Sequence, residues 1–223
     1  MIILIVSFIF FLFTLFVFSR DDYLLFRKNV DTEKVFNLAF LVIIAGLFFS
    51  RLTYVILFFK PVFLNPLAFL LFPYFPGLSL SGGLLGGSIV LAILLRGKKY
   101  PEGRLFDFFI LAVTVGFIVA EIPIFISLLL MKSSIFLPGA TVLFHILMLL
   151  ILLHIFKKHT VKEGNIALIT IMCLSIGFLI TTFLGNSQNH IFLYKEVGMW
   201  GLVFLISCIV FFRQNSSMFF GKK

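Results

Sequence analysis

Two ionisable side chains, Arg51 and Glu121, interrupt long apolar stretches of this 223-residue chain. If those stretches cross a membrane, each charge costs about 2.5–3.5 kcal/mol to insert, so both residues are functional candidates. At about 1.5 Å per residue, counted from Val35 and from Leu105, each lies roughly 24 Å along its helix. Opposite charges at equal depth predict an ion pair. That pair either joins two helices, which is favoured, or leaves Arg51 available to an anionic head group.

Glycines recur at helical spacing in the segment 79–88. Two pairs are spaced i,i+4: Gly82 with Gly86, and Gly83 with Gly87. Small residues at this spacing are typical of helices that approach each other closely in lipid. A second interpretation stays open, in which glycine N–H groups at a helix start bind a phosphate beside Ser81. Packing is the favoured interpretation.

The histidines do not suggest metal chemistry. His145 and His154 are neither three nor four residues apart, so one helix face cannot present both to one ion. His190 lies in a polar segment and can titrate, but the sequence shows no partner for it. Nucleotide-binding and hydrolase motifs such as the Walker loop, G-x-S-x-G and H-E-x-x-H do not occur. We expect neither a metal nor a cofactor.

The composition indicates an integral membrane protein. Apolar residues, counted with Tyr and Cys, make up 61% of the chain, and charged residues only 12%. The mean hydropathy is +1.20. Because an average soluble domain is about half apolar and about a quarter charged, this chain has too little charge to keep a folded surface in water.

Seven segments are apolar for long enough to cross a bilayer, which takes about 17–25 residues. These predicted spans are 1–18, 35–59, 80–95, 105–130, 139–156, 166–184 and 197–212. They predict an all-α, polytopic membrane protein with a single transmembrane domain over 1–223. The first span lacks the basic start of a secretory signal, so we expect an uncleaved helix. The apolar, proline-rich connection 60–79 is predicted to lie in the membrane interface.

The basic residues predict the orientation. The loops 19–34, 96–104 and 157–165 and the tail 213–223 contain 14 of the 18 Lys and Arg residues. The alternate loops contain three, and Arg51 is the remaining one. Because basic loops stay in the cytoplasm, the N-terminus is predicted outside and the C-terminus inside. The net charge of +9 therefore implies no nucleic-acid partner.

Four regions resemble the bacterial prolipoprotein diacylglyceryl transferases in order and spacing. They are Gly46–Val55 with Asn65-Pro66-Leu67, Gly77–Gly87, Asp107–Ile126, and Ser175–Gly177 with Phe183 and Gly198–Trp200. The first resembles the family's Ala-Arg-Leu-Gly-Tyr-Val and Asn-Pro-Leu elements, and the second its His-Gly-Gly-Leu-Leu-Gly motif. Together they cover about residues 35–212 and imply the same seven spans and orientation.

The resemblance implies a transferase of the bacterial cytoplasmic (inner) membrane. Such enzymes move the diacylglyceryl group of phosphatidylglycerol to the thiol of a lipobox cysteine and release glycerol phosphate. The implied partners are thus phosphatidylglycerol or a related phospholipid and prolipoprotein signal peptides. The residues implied to bind the lipid head group are Arg51, Tyr54, Asn65, Ser81, Gly82 and Gly83. Catalytic candidates are Arg51, Glu121 and His190.

The chain departs from the family where catalytic groups are expected. Ser81 replaces a histidine, Glu121 and Phe178 replace arginines, Ile124 an asparagine and Thr182 a glutamate. Removing one transition-state donor typically costs about 2.7–4 kcal/mol, so these changes predict impaired or lost catalysis with a retained fold and lipid contact. The alternatives are a non-catalytic lipid- or partner-binding relative and, less favoured, a small transporter subunit, for which the spans offer too few polar faces.

Overall fold

Apolar segments form α-helices in the computed structural model, which describes residues 2–65, 69, 77–131, 136–158, 161–184 and 190–219. In chain order they are α1 (Ile2–Arg20), α2 (Tyr23–Arg27), α3 (Thr32–Leu57), α4 (Leu80–Lys98), α5 (Glu102–Leu130), α6 (Phe136–Lys158), α7 (Asn165–Leu184) and α8 (His190–Phe219). A short 3-10 helix, Pro61–Leu64, follows α3. The described residues contain no strand, which confirms the all-α prediction.

Six helices, α3 to α8, are long and apolar enough to cross a membrane, and α1 is a shorter apolar helix. The prediction of a polytopic protein with about seven spans is therefore confirmed. Several predicted boundaries differ by a few residues, and the largest differences are at α8, which runs from His190 to Phe219 whereas the sequence predicts a loop over 185–196 and a span over 197–212. Polar residues at the start of this helix make its composition resemble that of a loop.

Helix α5 is the central element of the bundle. It packs along α1 on one side and along α6 and α7 on the other, and it also contacts α4. Phe108 of α5 is fully buried and stacks on Phe18 of α1 at a ring distance of 5.8 Å. Helix α3 packs mainly on α4, and α7 on α8. A side chain of α5 therefore meets α6 and α7 more readily than α3.

Buried polar contacts fix the end of the bundle that carries the basic loops. Arg104 donates from Nη2 to Oδ2 of Asp22 at 2.8 Å, and both side chains are nearly buried. The carboxylate of Asp107 accepts from the backbone N–H groups of Gly164 and Ala167, each at 2.8 Å. Asp107 thereby satisfies donors at the start of α7 that the helix itself cannot. These contacts join α2, α5 and α7.

Candidate functional site

Arg51 lies in the second half of α3 and is almost fully buried, with 3% exposed. Its Nε donates to the carbonyl oxygen of Phe69 at 3.1 Å, and its Nη1 to that of Gly77 at 2.8 Å. The guanidinium lies 4.9 Å from the ring centre of Phe63 and 6.0 Å from that of Tyr54. Both distances are within the range of cation–π contacts. Arg51 therefore holds the connection between α3 and α4 against α3.

Tyr54 explains why residue 77 is a glycine. Gly77 has φ of +139°, and a Cβ atom there would lie 2.1 Å from Cε1 of Tyr54. Both the backbone conformation and the lack of space require glycine. Two residues on, the N–H of Ser79 donates to the carbonyl oxygen of Ser50 at 3.1 Å. The backbone leading into α4 is thus bound directly to α3.

The glycines of α4 lie against α3. A Cβ atom at Gly82 would lie 2.3 Å from Oγ1 of Thr53, and one at Gly86 would lie 2.2 Å from Cβ of Phe49. Contacts this short leave no room for a side chain, so the two helices approach each other because these residues are glycines. The packing interpretation of the glycine pattern is confirmed.

The backbone N–H groups of Gly82 and Gly83, which were the alternative candidates for binding a phosphate, both donate hydrogen bonds to Ser79. The N–H of Gly82 donates to Oγ of Ser79 at 3.3 Å, and that of Gly83 to the Ser79 carbonyl oxygen at 3.0 Å. The hydroxyls of Ser79 and Ser81 lie 2.9 Å apart, and both side chains are buried. The amide interpretation is therefore not supported, because both N–H groups are engaged within the first turn of α4.

An apolar cavity of about 520 Å³ lies beside this glycine face. Helices α1, α3, α4 and α5 form its walls, together with Ile171 of α7. Its lining, as far as the structure describes it, has no ionisable side chain, and its polar side chains are those of Ser50 and Ser88. We call this space the α3–α4 cavity. The cavity can therefore hold an apolar ligand, but its described lining has no ionisable side chain that could act as an acid or base in catalysis.

Arg51 does not itself line the α3–α4 cavity, but it lies next to the part of the cavity wall where α4 begins. Ser50 and Leu78 both line the cavity. Their chain neighbours Arg51 and Gly77 are joined by the hydrogen bond described above. An apolar space with a cation next to its wall has the distribution of polarity that an amphiphile with an anionic head group would match.

Glu121 is hydrogen-bonded to His145. Oε2 of Glu121 lies 2.8 Å from Nδ1 of His145, which links α5 to α6. His145 is 3% exposed, while 23% of the Glu121 side chain is exposed. A charged carboxylate inside a membrane is thereby given a hydrogen-bonding partner, as such groups require.

The predicted ion pair of Arg51 with Glu121 is wrong. Within the described residues, Glu121 is hydrogen-bonded to His145, and Arg51 donates to loop carbonyls. Two side chains at equal depth in the membrane meet only if their helices are neighbours and if each side chain lies on the face that points to the other helix. Here α3 packs mainly on α4, whereas α5 packs on α6.

His145 is the site residue that the sequence reasoning missed. The sequence does contain a signal for its contact with Glu121. The helices α5 and α6 form a hairpin, in which α5 ends at Leu130 and α6 begins at Phe136. Counting back from Leu130 to Glu121 and forward from Phe136 to His145 gives roughly 13.5 Å in each case, at about 1.5 Å per residue. Antiparallel neighbours joined by a short connection place such residues side by side.

Two positions at which the resemblance places arginines meet at His145. One is Glu121, and the other is Phe178 of α7, whose ring centre lies 6.0 Å from that of His145. Phe178 in turn stacks on Trp200 of α8 at 4.4 Å. A carboxylate and an aromatic ring thus occupy a region where the family motifs would place two cations.

The remaining predicted residues lie apart from this pair. Asn65 is exposed at the end of the 3-10 helix, where its N–H donates to the Val62 carbonyl oxygen. The backbone of His190 begins α8, but its side chain is outside the described part of the structure. Within the described ranges, no three His, Cys, Asp or Glu residues are grouped as metal ligands.

The fold and the cavity define the class of protein: it is a polytopic α-helical membrane protein with an apolar cavity between its helices. Residues 2–130, more than half of the chain, match the family model described as prolipoprotein diacylglyceryl transferase. The chain therefore belongs to the prolipoprotein diacylglyceryl transferase family. The match includes Arg51, the α4 glycines and Glu121, and it ends before His145 and Phe178. Comparison with curated proteins found no matching relative.

Proposed function

We propose that this protein binds a glycerophospholipid of the phosphatidylglycerol class within the bacterial cytoplasmic membrane. The observation that carries the proposal is the α3–α4 cavity of about 520 Å³, whose apolar lining includes Ser50 and Leu78, the chain neighbours of Arg51 and of its hydrogen-bond partner Gly77. Membership of a family that handles diacylglyceryl lipids supports the same conclusion. An acyl chain would occupy the cavity, and the phosphate would lie near Arg51.

The size and lining of the cavity fit this ligand. Its volume is within the about 300–1,000 Å³ that small-molecule pockets typically have. An acyl chain that moves from the bilayer into such a cavity exchanges one apolar environment for another, so the hydrophobic effect contributes little to binding. Shape therefore decides which chain fits, and the head group supplies most of the affinity.

Arg51 is the head-group residue that the geometry supports best. A guanidinium presents five N–H donors in a planar fork that matches phosphate oxygens. Tyr54, Ser81 and Asn65 remain proposed head-group residues, and Tyr54 already contacts both Arg51 and the backbone at Gly77. The loop that Arg51 binds would thus form part of the head-group site.

A cavity-filling variant tests the proposal. Val113 lines the α3–α4 cavity, so Val113→Trp would fill part of it. We expect at least a tenfold weaker binding of a fluorescent phosphatidylglycerol to the purified protein in detergent micelles. Ile124→Trp is the matched control, because Ile124 lies on the same helix, is 51% exposed and does not line this cavity. Unchanged binding by Val113→Trp would reject the cavity as the lipid site.

Transfer of diacylglyceryl to a lipobox cysteine is the second candidate function, and the family match favours it. It can be separated from lipid binding alone by expressing the chain in cells depleted of their own transferase. Restored lipidation of a reporter lipoprotein would support transfer. Bound lipid without lipidation would support a binding protein that has lost the family reaction.

A further inference from the structure

A second apolar cavity, of about 450 Å³, lies between α4, α5, α7 and α8. We call it the α4–α8 cavity. Ala92, Leu168 and Val210 line it and do not line the α3–α4 cavity. The two cavities are nevertheless neighbours, because they share wall residues, which are Leu84, Ser88, Phe106 and Ile171.

The charged side chains of the α4–α8 cavity lie at one of its ends. Arg96 in the last turn of α4 and Glu102 in the first turn of α5 both line the cavity. Gln214 also lines it, and its Nε2 donates to the carbonyl oxygen of Glu163 at 2.7 Å, in the connection between α6 and α7. No other charged side chain lines the described part of this cavity. Its polar end is therefore the end of the bundle that carries the basic loops.

Arg96 and Glu102 form an ion pair at this polar end. Nε of Arg96 donates to Oε2 of Glu102 at 3.2 Å, and the two side chains are 74% and 42% exposed. Among the contacts of the described residues, this bond uses Nε, so the N–H groups of both Nη atoms remain as donors for a phosphate. Oε1 of Glu102 likewise remains as an acceptor for an ammonium group. A set of donors and an acceptor thus lie side by side.

The apolar part of the cavity is suited to an acyl chain. Water finds few hydrogen-bond partners among apolar side chains, and an empty space leaves the surrounding atoms without dispersion contacts. A phospholipid of the adjoining leaflet can supply an apolar chain while its head group stays at the membrane surface, where the ion pair lies. The position of the charges therefore indicates an amphiphile that enters with its head group at the Arg96 end.

The ion pair distinguishes between lipid head groups. Its two charges cancel, so it offers no net attraction to an anionic head group such as that of phosphatidylglycerol. A zwitterionic head group is complementary, with its phosphate toward Arg96 and its ammonium toward Glu102. A primary ammonium also donates charge-assisted hydrogen bonds to a carboxylate, which the quaternary ammonium of phosphatidylcholine cannot do. Phosphatidylethanolamine has both of these features.

We propose that the α4–α8 cavity binds one phosphatidylethanolamine molecule of the cytoplasmic leaflet. An acyl chain occupies the apolar part of the cavity, and the head group lies on Arg96 and Glu102. The leaflet follows from the orientation that the basic loops predict. This site is separate from the proposed phosphatidylglycerol site and does not depend on it. Because the lipid binds between four helices of the folded protein, it also stabilises their packing.

A cavity-filling variant tests the site. Phosphatidylethanolamine and phosphatidylglycerol that carry the same fluorescent acyl chain are titrated into the purified full-length protein in detergent micelles. Ala92→Trp would fill part of the α4–α8 cavity, so we expect about tenfold weaker binding of phosphatidylethanolamine and unchanged binding of phosphatidylglycerol. Ile93→Trp is the matched control, because Ile93 is 63% exposed and lines neither cavity. Wild-type affinity for phosphatidylethanolamine in Ala92→Trp would overturn the proposal.

A second variant tests the head group without changing the cavity. Phosphatidylcholine with the same acyl chain is the reference lipid, and we expect the wild-type protein to bind phosphatidylethanolamine about tenfold more tightly. Glu102→Gln removes the carboxylate and should abolish this preference. Glu33→Gln, an exposed acidic residue in the first turn of α3, should keep it. A wild-type protein without the preference, or a preference that persists in Glu102→Gln, would overturn the proposal.

The same titrations distinguish failure of this inference from failure of the proposed function. If the wild-type protein binds phosphatidylethanolamine but not phosphatidylglycerol, the proposed function fails and this inference stands. If it binds phosphatidylglycerol alone, the inference is overturned and the proposed function stands. If both lipids are lost alike in Ala92→Trp while the thermal midpoint is unchanged, one site binds both, and the separate phosphatidylethanolamine site is overturned.

Discussion

At the scale of single residues, Arg51 and Glu121 are each bound by the element that follows their own helix in the chain. Arg51 donates to the carbonyl oxygens of Phe69 and Gly77 in the connection that follows its own helix. Glu121 pairs with His145 across the short connection between α5 and α6. Each residue thereby links two elements that follow each other in the chain.

Arg51→Gln tests the role of the buried cation. Glutamine keeps an N–H donor for one loop carbonyl but loses the charge that would attract a phosphate. We expect about a tenfold loss in affinity for phosphatidylglycerol, which corresponds to about 1.4 kcal/mol, and a smaller change for the zwitterionic phosphatidylcholine. Fluorescent-lipid titration measures both.

Two matched variants complete this prediction. Arg51→Lys should retain most of the preference for the anionic lipid because it retains the charge. Arg20→Gln removes a largely exposed arginine at the end of α1 and should leave affinity unchanged. An equal loss of affinity for both lipids in Arg51→Gln would mean that the residue only holds the loop.

At the scale of helices, the contact of α3 with α4 depends on glycine. A side chain at Gly86 would overlap Phe49, since its Cβ atom would lie 2.2 Å from Cβ of that residue. The α3–α4 cavity lies along the same helix pair, with Gly83 and Gly87 in its lining. Close approach of the two helices therefore sets the shape of the proposed lipid site.

Gly86→Ala should separate α3 from α4. Overpacking of this kind costs about 1–3 kcal/mol, so the midpoint of thermal unfolding in detergent should fall. Gly97→Ala is the control on the same helix, because a Cβ atom at Gly97 has no neighbour within 4 Å. Alanine also has the higher helix propensity, so that variant should be as stable as the wild type or more so. Equal midpoints for the two variants would contradict the packing account.

The helices were predictable from the sequence, but their neighbours were not. Hydrophobic length identifies a span because the bilayer has a fixed thickness, and this predicted the seven apolar segments well. The depth of a residue in the membrane does not determine the direction in which its side chain points. It therefore could not show that Arg51 faces the connection to α4 and that Glu121 faces His145. The family motifs marked Glu121 and Phe178 only as the positions of two arginines, and that both contact His145 follows from the packing of α5, α6 and α7.

At the scale of the whole molecule, charge is segregated between the two ends of the bundle. The loops 19–34, 96–104 and 157–165 carry most of the bases, and the buried pair of Arg104 with Asp22 lies at that end. Arg51 and the start of α4 lie toward the opposite end. The orientation prediction therefore places the head-group end of the cavity on the exterior side of the membrane.

Fusion reporters test this orientation. We expect a fluorescent protein fused after Lys223 to fluoresce, and alkaline phosphatase fused at the same place to be inactive, because the C-terminus is predicted in the cytoplasm. Phosphatase fused within the connection 185–189 should be active. The reverse pattern would place Arg51 on the cytoplasmic side and would contradict the proposed access of lipid from the outer leaflet.

Native mass spectrometry of the purified protein tests the central claim, lipid binding in the α3–α4 cavity, most directly. The account predicts a protein peak with one bound phosphatidylglycerol, identified on dissociation. The fraction with bound phosphatidylglycerol should be much smaller in Val113→Trp and unchanged in Ile124→Trp. A wild-type protein that carries no phosphatidylglycerol, or that keeps the same amount in Val113→Trp, would contradict it.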